Sequence, residues 1–448
     1  MTLTFSIPDT VCAIIQRLES HGYEAYAVGG CVRDMLCGRT PHDWDLCTSA
    51  LPQEICTCFS DRPLITAGEK HGTIAVLWDS VPYEITTYRI DGTYADGRHP
   101  EQVYFVRSLR EDLRRRDFTI NAMAYHPQHG LVDLYHGAAD LQQKIIRCVG
   151  KPEQRFREDA LRILRGLRFA AVYAMQLDPE TARASHLLAP TLRQISVERI
   201  ASECCKLLAA PDPTVILRAF SDVWMLLFPE LESVPWEQAL SRIKAVPAEC
   251  VLRWAACLYD IPNKTARNML LRLHMERKQI QEITALLQLR NTPIPEMARD
   301  MRCLLLTTKP SLLQKHILLW AADQHIPKAQ SQRAKQCLTE TLASPICFRL
   351  KDLAVNGADL LEIGIKKGPR IGVILHTLLQ MTAAEILPNQ RELLLQEAKV
   401  LSVKPLPLPE VQPLQAHPLR PIPPDGQVPD SNDSDNRDRT PEIPHHSS

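Results

Sequence analysis

The chain has no net charge: across 448 residues, 52 lysines and arginines meet 52 aspartates and glutamates. No whole-molecule field marks it for nucleic acid, so any such surface has to be local. It has no uninterrupted apolar run of the roughly eighteen residues that cross a bilayer. The N-terminus, MTLTFSIPDTVCAIIQ, lacks the basic stretch and apolar core of a secretory signal. No membrane partner is expected, and the expected location is cytoplasmic. The fourteen cysteines include close neighbours, Cys56 with Cys58 and Cys204 with Cys205, but no paired C-x-x-C knuckles and no zinc-type histidine spacing. They read as reduced thiols. The patterns G-x-x-x-x-G-K-[ST] and G-x-G-x-x-G are missing, which sets aside P-loop and Rossmann turns. No fixed-period repeat is present, so a solenoid is not expected.

What is present divides into unlike parts. Val11, Ile14, Ile15 and Leu18 fall at helical spacing, with Asp9 placed to cap and Gly22 to end the helix. YEAYAV (23–28) predicts a strand running into Gly29-Gly30, CVRDMLCG a short helix closing at Gly38, and WDLCT a returning strand. PQEICTCF predicts a helix, and TIAVLWDSVPYEITTYRI a hairpin turning across Asp79 to Pro82. From about Pro152 the pattern is almost wholly helical, as in FREDALRILRGLRFAAVYA and TARNMLLRLHMERKQIQEITALLQL. From Val403 the sequence turns proline-rich and then rich in Asp, Ser and Asn, too poor in apolar residues to offset its ordering entropy. A disordered tail is expected there, either plainly solvated or a polyproline docking strip.

Two features carry chemistry. A strand that ends in Gly29-Gly30 and enters a helix brings backbone amides and the positive helix end to one point, which suits a phosphate, and Arg33 can reach the same anion. In HDWDLCTS, strand alternation would turn Asp43 and Asp45 the same way, about 7 Å apart along the backbone, with Trp44 opposite. Two such carboxylates repel unless a cation lies between them, although an exposed edge strand could carry them as surface charge. Oxygen ligands of this kind suit Mg²⁺, which fills its shell with waters and substrate phosphates. Glu84 in YEITTYR would complete a three-carboxylate cluster if its strand lies alongside.

AVGGCVRDMLCGRTPHDWDLCTSALP resembles the head motif of the class II tRNA nucleotidyltransferases, the CCA-adding enzymes, and of the related bacterial poly(A) polymerases. RRRDFTINAMAY is similar to the family's next motif, which implies that Arg116, Asp117 and Asn121 hold the triphosphate and ribose. Locally, Ser108 and Glu111 are placed for a capping box, and five arginines between 107 and 116 supply positive charge. REDALRILRGLRFA contains the family's nucleotide-selecting E-D-x-x-R as Glu158, Asp159 and Arg162, which on one helix would share a side. A carboxylate there would accept from the exocyclic amine that cytosine and adenine share, while the arginine donates to the neighbouring ring acceptor. RIDGTYADGRHPEQV (89–103) resembles the flexible loop that CCA-adding enzymes carry. LAVNGADLLEIGIKKGPRIGVILHTLL is similar to the family's tail region, where Lys366, Lys367 and Arg370 would suit RNA phosphates.

The resemblance implies an α/β nucleotidyltransferase head of polymerase-β type with a mixed sheet, followed by an all-α neck, body and tail. The expected divisions are a head over 1–150, a neck over 151–210, a body over 211–345, a tail over 346–402 and the proline-rich stretch over 403–448. It implies addition of C, C and A to the 3′ end of tRNA from CTP and ATP, with Mg²⁺ on Asp43 and Asp45, Glu84 in support, and Gly29, Gly30 and Arg33 on the triphosphate. No DNA partner is expected. A poly(A) polymerase, a CC- or A-adding specialist, and a non-catalytic RNA-binding protein on the same scaffold remain as alternatives. The only His-Asp dipeptide is His42-Asp43, and RWAACLYDIPNK carries no histidine, so no phosphohydrolase activity is expected of the helical region.

Overall fold

The computed structural model describes residues 7–92, 103–323, 326–344 and 348–403. Most of the loop resembling the family's flexible loop and nearly all of the proline-rich stretch lie outside the described residues, though Val403 still ends the last helix.

The head opens with α1 (Asp9–Ser20), whose Val11, Ile14, Ile15 and Leu18 are fully buried. Asp9 sits inside the first turn with Pro8 before it, and no side chain caps this end. The expected Asp9 cap is therefore corrected to a first-turn acid, favourable to the helix dipole. Then come β1 (Ala25–Val28), α2 (Gly30–Leu36), β2 (Leu46–Thr48), α3 (Pro52–Cys58), β3 (Leu64–Ile65), β4 (Thr73–Trp78) and β5 (Val81–Thr87). Asp79 and Ser80 form the tight β4–β5 turn with positive φ angles of 51° and 67°, as the right-handed twist of a two-residue hairpin demands. A small ribbon of β6 (Arg89–Asp91) and β7 (Val103–Phe105) precedes α4 (Leu109–Arg114), β8 (Ala124–His126), β9 (Gly130–Val132) and α5 (Gly137–Gln143).

Seven of these strands form one sheet in the order β3-β4-β5-β2-β1-β8-β9. It is mixed: β2 and β5 run parallel, and the remaining neighbours run antiparallel. The order determines where the site can lie. The end of β1, the start of β2, the residue before Ile85 in β5 and the segment entering β8 all meet at the same end of the sheet's central strands.

Beyond the head, α6 (Pro152–Glu158), α7 (Leu161–Tyr173), α8 (Pro179–Leu188) and α9 (Val197–Leu208) begin an almost wholly helical remainder. The exception is a two-residue strand, Gln176–Leu177, paired in parallel with Ile145–Ile146 so that head and neck are stitched by backbone. The stretch read as one helix from 265 onward breaks into Asn263–Arg272 and Arg277–Leu289, because His274 adopts φ 49°, outside the helical region. A single apolar core runs from Phe118 and Ile120 in the head through Leu164 and Leu167 of α7 to Trp224, Trp254 and Leu319. Separate smaller cores gather Met301, Leu313 and Leu338, and then Leu360, Ile374 and Leu394. Among the described residues no helix is long and apolar enough to cross a membrane.

Candidate active site

The turn after β1 is built for close approach. Gly29 has φ 79°, and a β-carbon there would come within 3.0 Å of Arg116 Nη1. Glycine is thus needed twice, for the backbone angle and for the arginine beside it. The Gly29 amide donates to the Met123 carbonyl (3.1 Å), so it is occupied by the sheet rather than free for a phosphate. Arg33, only 7% exposed, donates from Nη1 to Asn121 Oδ1 (2.6 Å) and from Nε and Nη2 to Asp34 Oδ1 (3.1 and 3.0 Å). Gly30 adjoins the same guanidinium, its hypothetical β-carbon 3.5 Å from Arg33 Nη2.

The acids stand differently from the alternation argument. The strand begins at Leu46, so Asp43 lies in a bend and Asp45 at the mouth of β2. Only the bond from the Val28 amide to the Asp45 carbonyl (2.9 Å) carries the ladder that far. The approach of Trp44 to the head cores, against which it packs half-buried, keeps this segment from running straight. Glu84 is where pairing requires it: β5 lies parallel to β2 with Leu46 opposite Ile85, which puts Glu84 one step before, across from Asp45. Asp43, Asp45 and Glu84 are all exposed. Surrounding protein raises the Asp45 carboxyl above its ordinary range; Glu84 and Asp43 push the same way and Arg116 opposes. None of the three has an ion-pair partner among the described residues. Among the described residues their oxygens do not all lie within 4.8 Å of one another, but neighbouring, unpaired and open carboxylates of this kind suit a hard divalent cation.

A tighter trio elsewhere does not. Ligand atoms of Glu19, His126 and His129 lie within 4.8 Å of one another. The Gln128 and His129 amides, however, donate to His126 Nδ1 (3.1 and 3.2 Å), which leaves the proton on Nε2, 3.0 Å from Glu19. A nitrogen that carries the proton cannot ligate.

The arginine-rich segment is partly consumed by its own acid. Asp112, fully buried, takes Arg115 Nη2 (2.8 Å) and Arg116 Nη2 (3.1 Å). Ser108 does precede α4, but no side chain caps that helix, so the expected capping box with Glu111 is absent. Burial would raise Asp117; Arg165, the Asn121 amide and Arg162 outweigh it and hold it down to about 2. Its oxygens accept from the Phe118 amide (2.8 Å), Asn121 Nδ2 (3.0 Å) and Arg165 Nε (2.8 Å). Asp117 therefore orients Asn121 rather than offering a free oxygen to a nucleotide.

The selecting motif does not lie on one helix. Asp159 is extended (φ −147°, ψ 104°), ends α6, and accepts the Leu161 amide (3.1 Å) ahead of α7. Glu158 still meets Arg162 (2.7 Å) and also takes Arg155, while Asp159 turns away to Arg199 Nη2 of α9 (2.8 Å). Arg162 is further fixed by the Arg155 and Arg115 carbonyls (3.3 and 3.2 Å). Arg199 and Arg165 were not singled out by sequence reasoning. Their partners lie 40 and 48 residues away, and no local pattern marks such pairs.

Lys366, Lys367 and Arg370 are all exposed around the turn between Gly357–Glu362 and Pro369–Ala383. Arg370 Nη2 donates to the Leu401 carbonyl (3.2 Å).

A mixed sheet with a glycine turn and three acids at one end of its central strands, closed by an arginine-bearing helical neck, is the frame of a nucleotidyltransferase. Residues 25–147 match the family described as Poly A polymerase head domain, and residues 249–398 match tRNA nucleotidyltransferase domain 2. The CCA-adding enzyme of Lacticaseibacillus paracasei is 35% identical over 90% of this chain and 99% of its own length. That of Streptococcus pneumoniae is 36% identical over 85% and 94%. The crystal structure of the Bacillus stearothermophilus CCA-adding enzyme in complex with CTP superposes with a TM-score of 0.75 at 32% identity, covering 88% of this chain and 98% of that one. A Thermotoga maritima CCA-adding enzyme complexed with tRNA shares the fold, with a TM-score of 0.64 at 21% identity and coverage of 88% and 94%. The chain belongs to the family of CCA-adding enzymes.

Proposed function

We propose that this chain adds C, C and A in turn to the 3′ end of tRNA from CTP and ATP without a nucleic-acid template, in the cytoplasm. The observation that carries the reading is the meeting of Asp45, Glu84 and Asp43 beside the Gly29 turn and Arg116. The bound CTP of the Bacillus stearothermophilus relative supports the substrate class.

Asp43 and Asp45, with Glu84 in support, would hold Mg²⁺, which when bound neutralises phosphate charge and readies the attacking hydroxyl. The chain's own part is positioning. Arg33, held by Asn121, faces the triphosphate beside Gly29 and Gly30, and Arg116 stands over the turn toward ribose and phosphate. The 3′-hydroxyl of the RNA attacks the α-phosphate and pyrophosphate leaves. Arg162, braced by Glu158, and Asp159, braced by Arg199, read the base edge as a complementary base would. Lys366, Lys367 and Arg370 take phosphates of the tRNA body. The division at about 150, 210 and 345 is one of role: head, neck and body share a continuous core, which crosses both 150 and 210.

The test offers tRNAs ending before CCA, after C or after CC, with CTP and ATP separately and together, and sequences the 3′ ends. Completion to CCA is expected, and long A tracts would instead indicate a poly(A) polymerase. Asp43→Ala and Asp45→Ala should each abolish incorporation with tRNA binding retained; full activity in either removes the metal role.

A further inference from the structure

Arg33 belongs to the head, yet much of what surrounds its guanidinium belongs to the neck. Its carbon lies 5.1 Å from the Phe169 ring centroid and 4.7 Å from that of Tyr173, both on α7. The Tyr173 hydroxyl donates to Asp34 Oδ1 (2.7 Å), the same oxygen that accepts Arg33 Nε and Nη2. Arg39 covers the Tyr173 ring as well, at 4.5 Å. A guanidinium carries five N–H groups. Asn121 and Asp34 take one from each nitrogen, which leaves one on each terminal nitrogen for a substrate. Where those two point depends on the rotamer of Asp34 and on the plane in which the rings hold the guanidinium.

We propose that Tyr173, acting through Asp34, is the positioning residue that aims Arg33 at the nucleotide triphosphate, so that the neck helix sets the phosphate grip as well as the base-reading edge. The inference rests on the assignment of Arg33 to the triphosphate. Arg162, Arg165, Phe169 and Tyr173 follow one another at three- and four-residue steps along α7, so they share one face. That face meets, in order, the Arg115 carbonyl, Asp117, and the Arg33–Asp34 pair. Arg162 and Tyr173 occupy opposite ends of it. Disturbing Tyr173 should therefore weaken the hold on the phosphates equally for CTP and ATP and leave base choice alone.

The test uses the full chain with Tyr173→Phe, which removes only the hydroxyl, and Tyr173→Leu, which removes hydroxyl and ring. Pyrophosphate serves as the probe that has the phosphates without a base. Tyr173→Phe is expected to raise KM for both CTP and ATP by about fivefold, less than the full loss of a hydrogen bond to a charged group because Arg33 keeps its own bonds to Asp34 and Asn121. Tyr173→Leu should raise it by tens of fold, since the cation–π contact goes too. The inhibition constant of pyrophosphate should rise in parallel, with kcat within about twofold and discrimination against UTP and GTP unchanged. Unchanged KM and pyrophosphate inhibition in both variants, while Arg33→Ala raises them, would overturn the inference and spare the assignment of Arg33. No effect of Arg33→Ala would overturn both. A fall in kcat alone, or an effect on one nucleotide only, also overturns it.

Discussion

Glu158 holds two arginines at once, and that makes its charge testable. One oxygen accepts from Arg155 and the other from Arg162 at 2.7 Å, with the Arg162 side chain 10% exposed and that of Glu158 19%. Glu158→Gln keeps the shape but leaves a single acceptor, and its amide NH₂ must face one of the two guanidinium groups. A partly buried, charge-assisted hydrogen bond contributes about 1.5–3 kcal/mol. The Arg155 and Arg115 carbonyls still hold Arg162, so about 1–2 kcal/mol of its orientation should be lost. If Arg162 recognises the cytosine edge, that loss falls on CTP and not on UTP, which lowers the ratio of their kcat/KM roughly 5- to 30-fold. The assay is incorporation of C and of U, in separate reactions, onto tRNA lacking CCA. Arg155→Ala is the control: it leaves the Arg162–Glu158 pair in place and should move the ratio less. A ratio within twofold of wild type in Glu158→Gln, with incorporation of both nucleotides slowed alike, would refute the bracing argument.

Gly29→Ala places a β-carbon 3.0 Å from Arg116 Nη1 on a backbone at φ 79°. With ψ at −122° the backbone lies outside the left-handed helical well, so the change should cost about 1–3 kcal/mol of stability and raise KM for nucleotides, checked by thermal melts and steady-state kinetics; unchanged KM would detach the turn from the site. His316, 1% exposed, is held down to about 4 by burial, below its ordinary 6.5. The folded state prefers the neutral ring, so this contribution is complete above the unfolded value and shrinks as pH falls through 6.5 towards 4. Urea unfolding should lose about 2 kcal/mol between about pH 7 and about pH 5 from this group. His316→Leu should flatten that part of the profile, and an identical slope would refute it.

The parts of the fold that depend on local spacing were legible. Val11, Ile14, Ile15 and Leu18 named a buried helix face, and the run into Gly29 named a strand and its turn. Glu84 was tied to the acids only on the condition that its strand lies alongside theirs; β5 does lie beside β2, and its parallel direction comes from the pairing itself. What the sequence hid were choices among competing partners. Asp159 can continue a helix beside Arg162 or extend toward Arg199, and only the packing of α9 against α7 decides for the latter. Arg115 and Arg116 looked like free positive charge because nothing in the segment shows that Asp112 is buried beneath them. The acids, expected within a strand, lie at its mouth because Trp44 must reach the core while Asp43 stays in solvent.

These hidden choices share a direction. Asp117 meets Arg165, the Arg33–Asp34 pair meets Phe169 and Tyr173, and the Arg115 carbonyl meets Arg162. Two of the head's sequence motifs, the one around Arg33 and the one around Asp117, thus find a second contact on one face of α7. An enzyme that selects bases without a template has to hold the base reader and the phosphate grip in fixed register, because a small misplacement between them costs heavily in rate. A single helix buried on both sides supplies that register: its rise of about 1.5 Å per residue sets the separation of Arg162 from Tyr173, and the core it shares with Phe118 and Ile120 keeps it from sliding over the head. On the roles proposed for Arg162 and Arg33, base selection and phosphate binding are both anchored to this one helix. A substitution anywhere along the inward face of α7 should register at both ends of the nucleotide unless, as argued for Tyr173, its neighbours confine it to one.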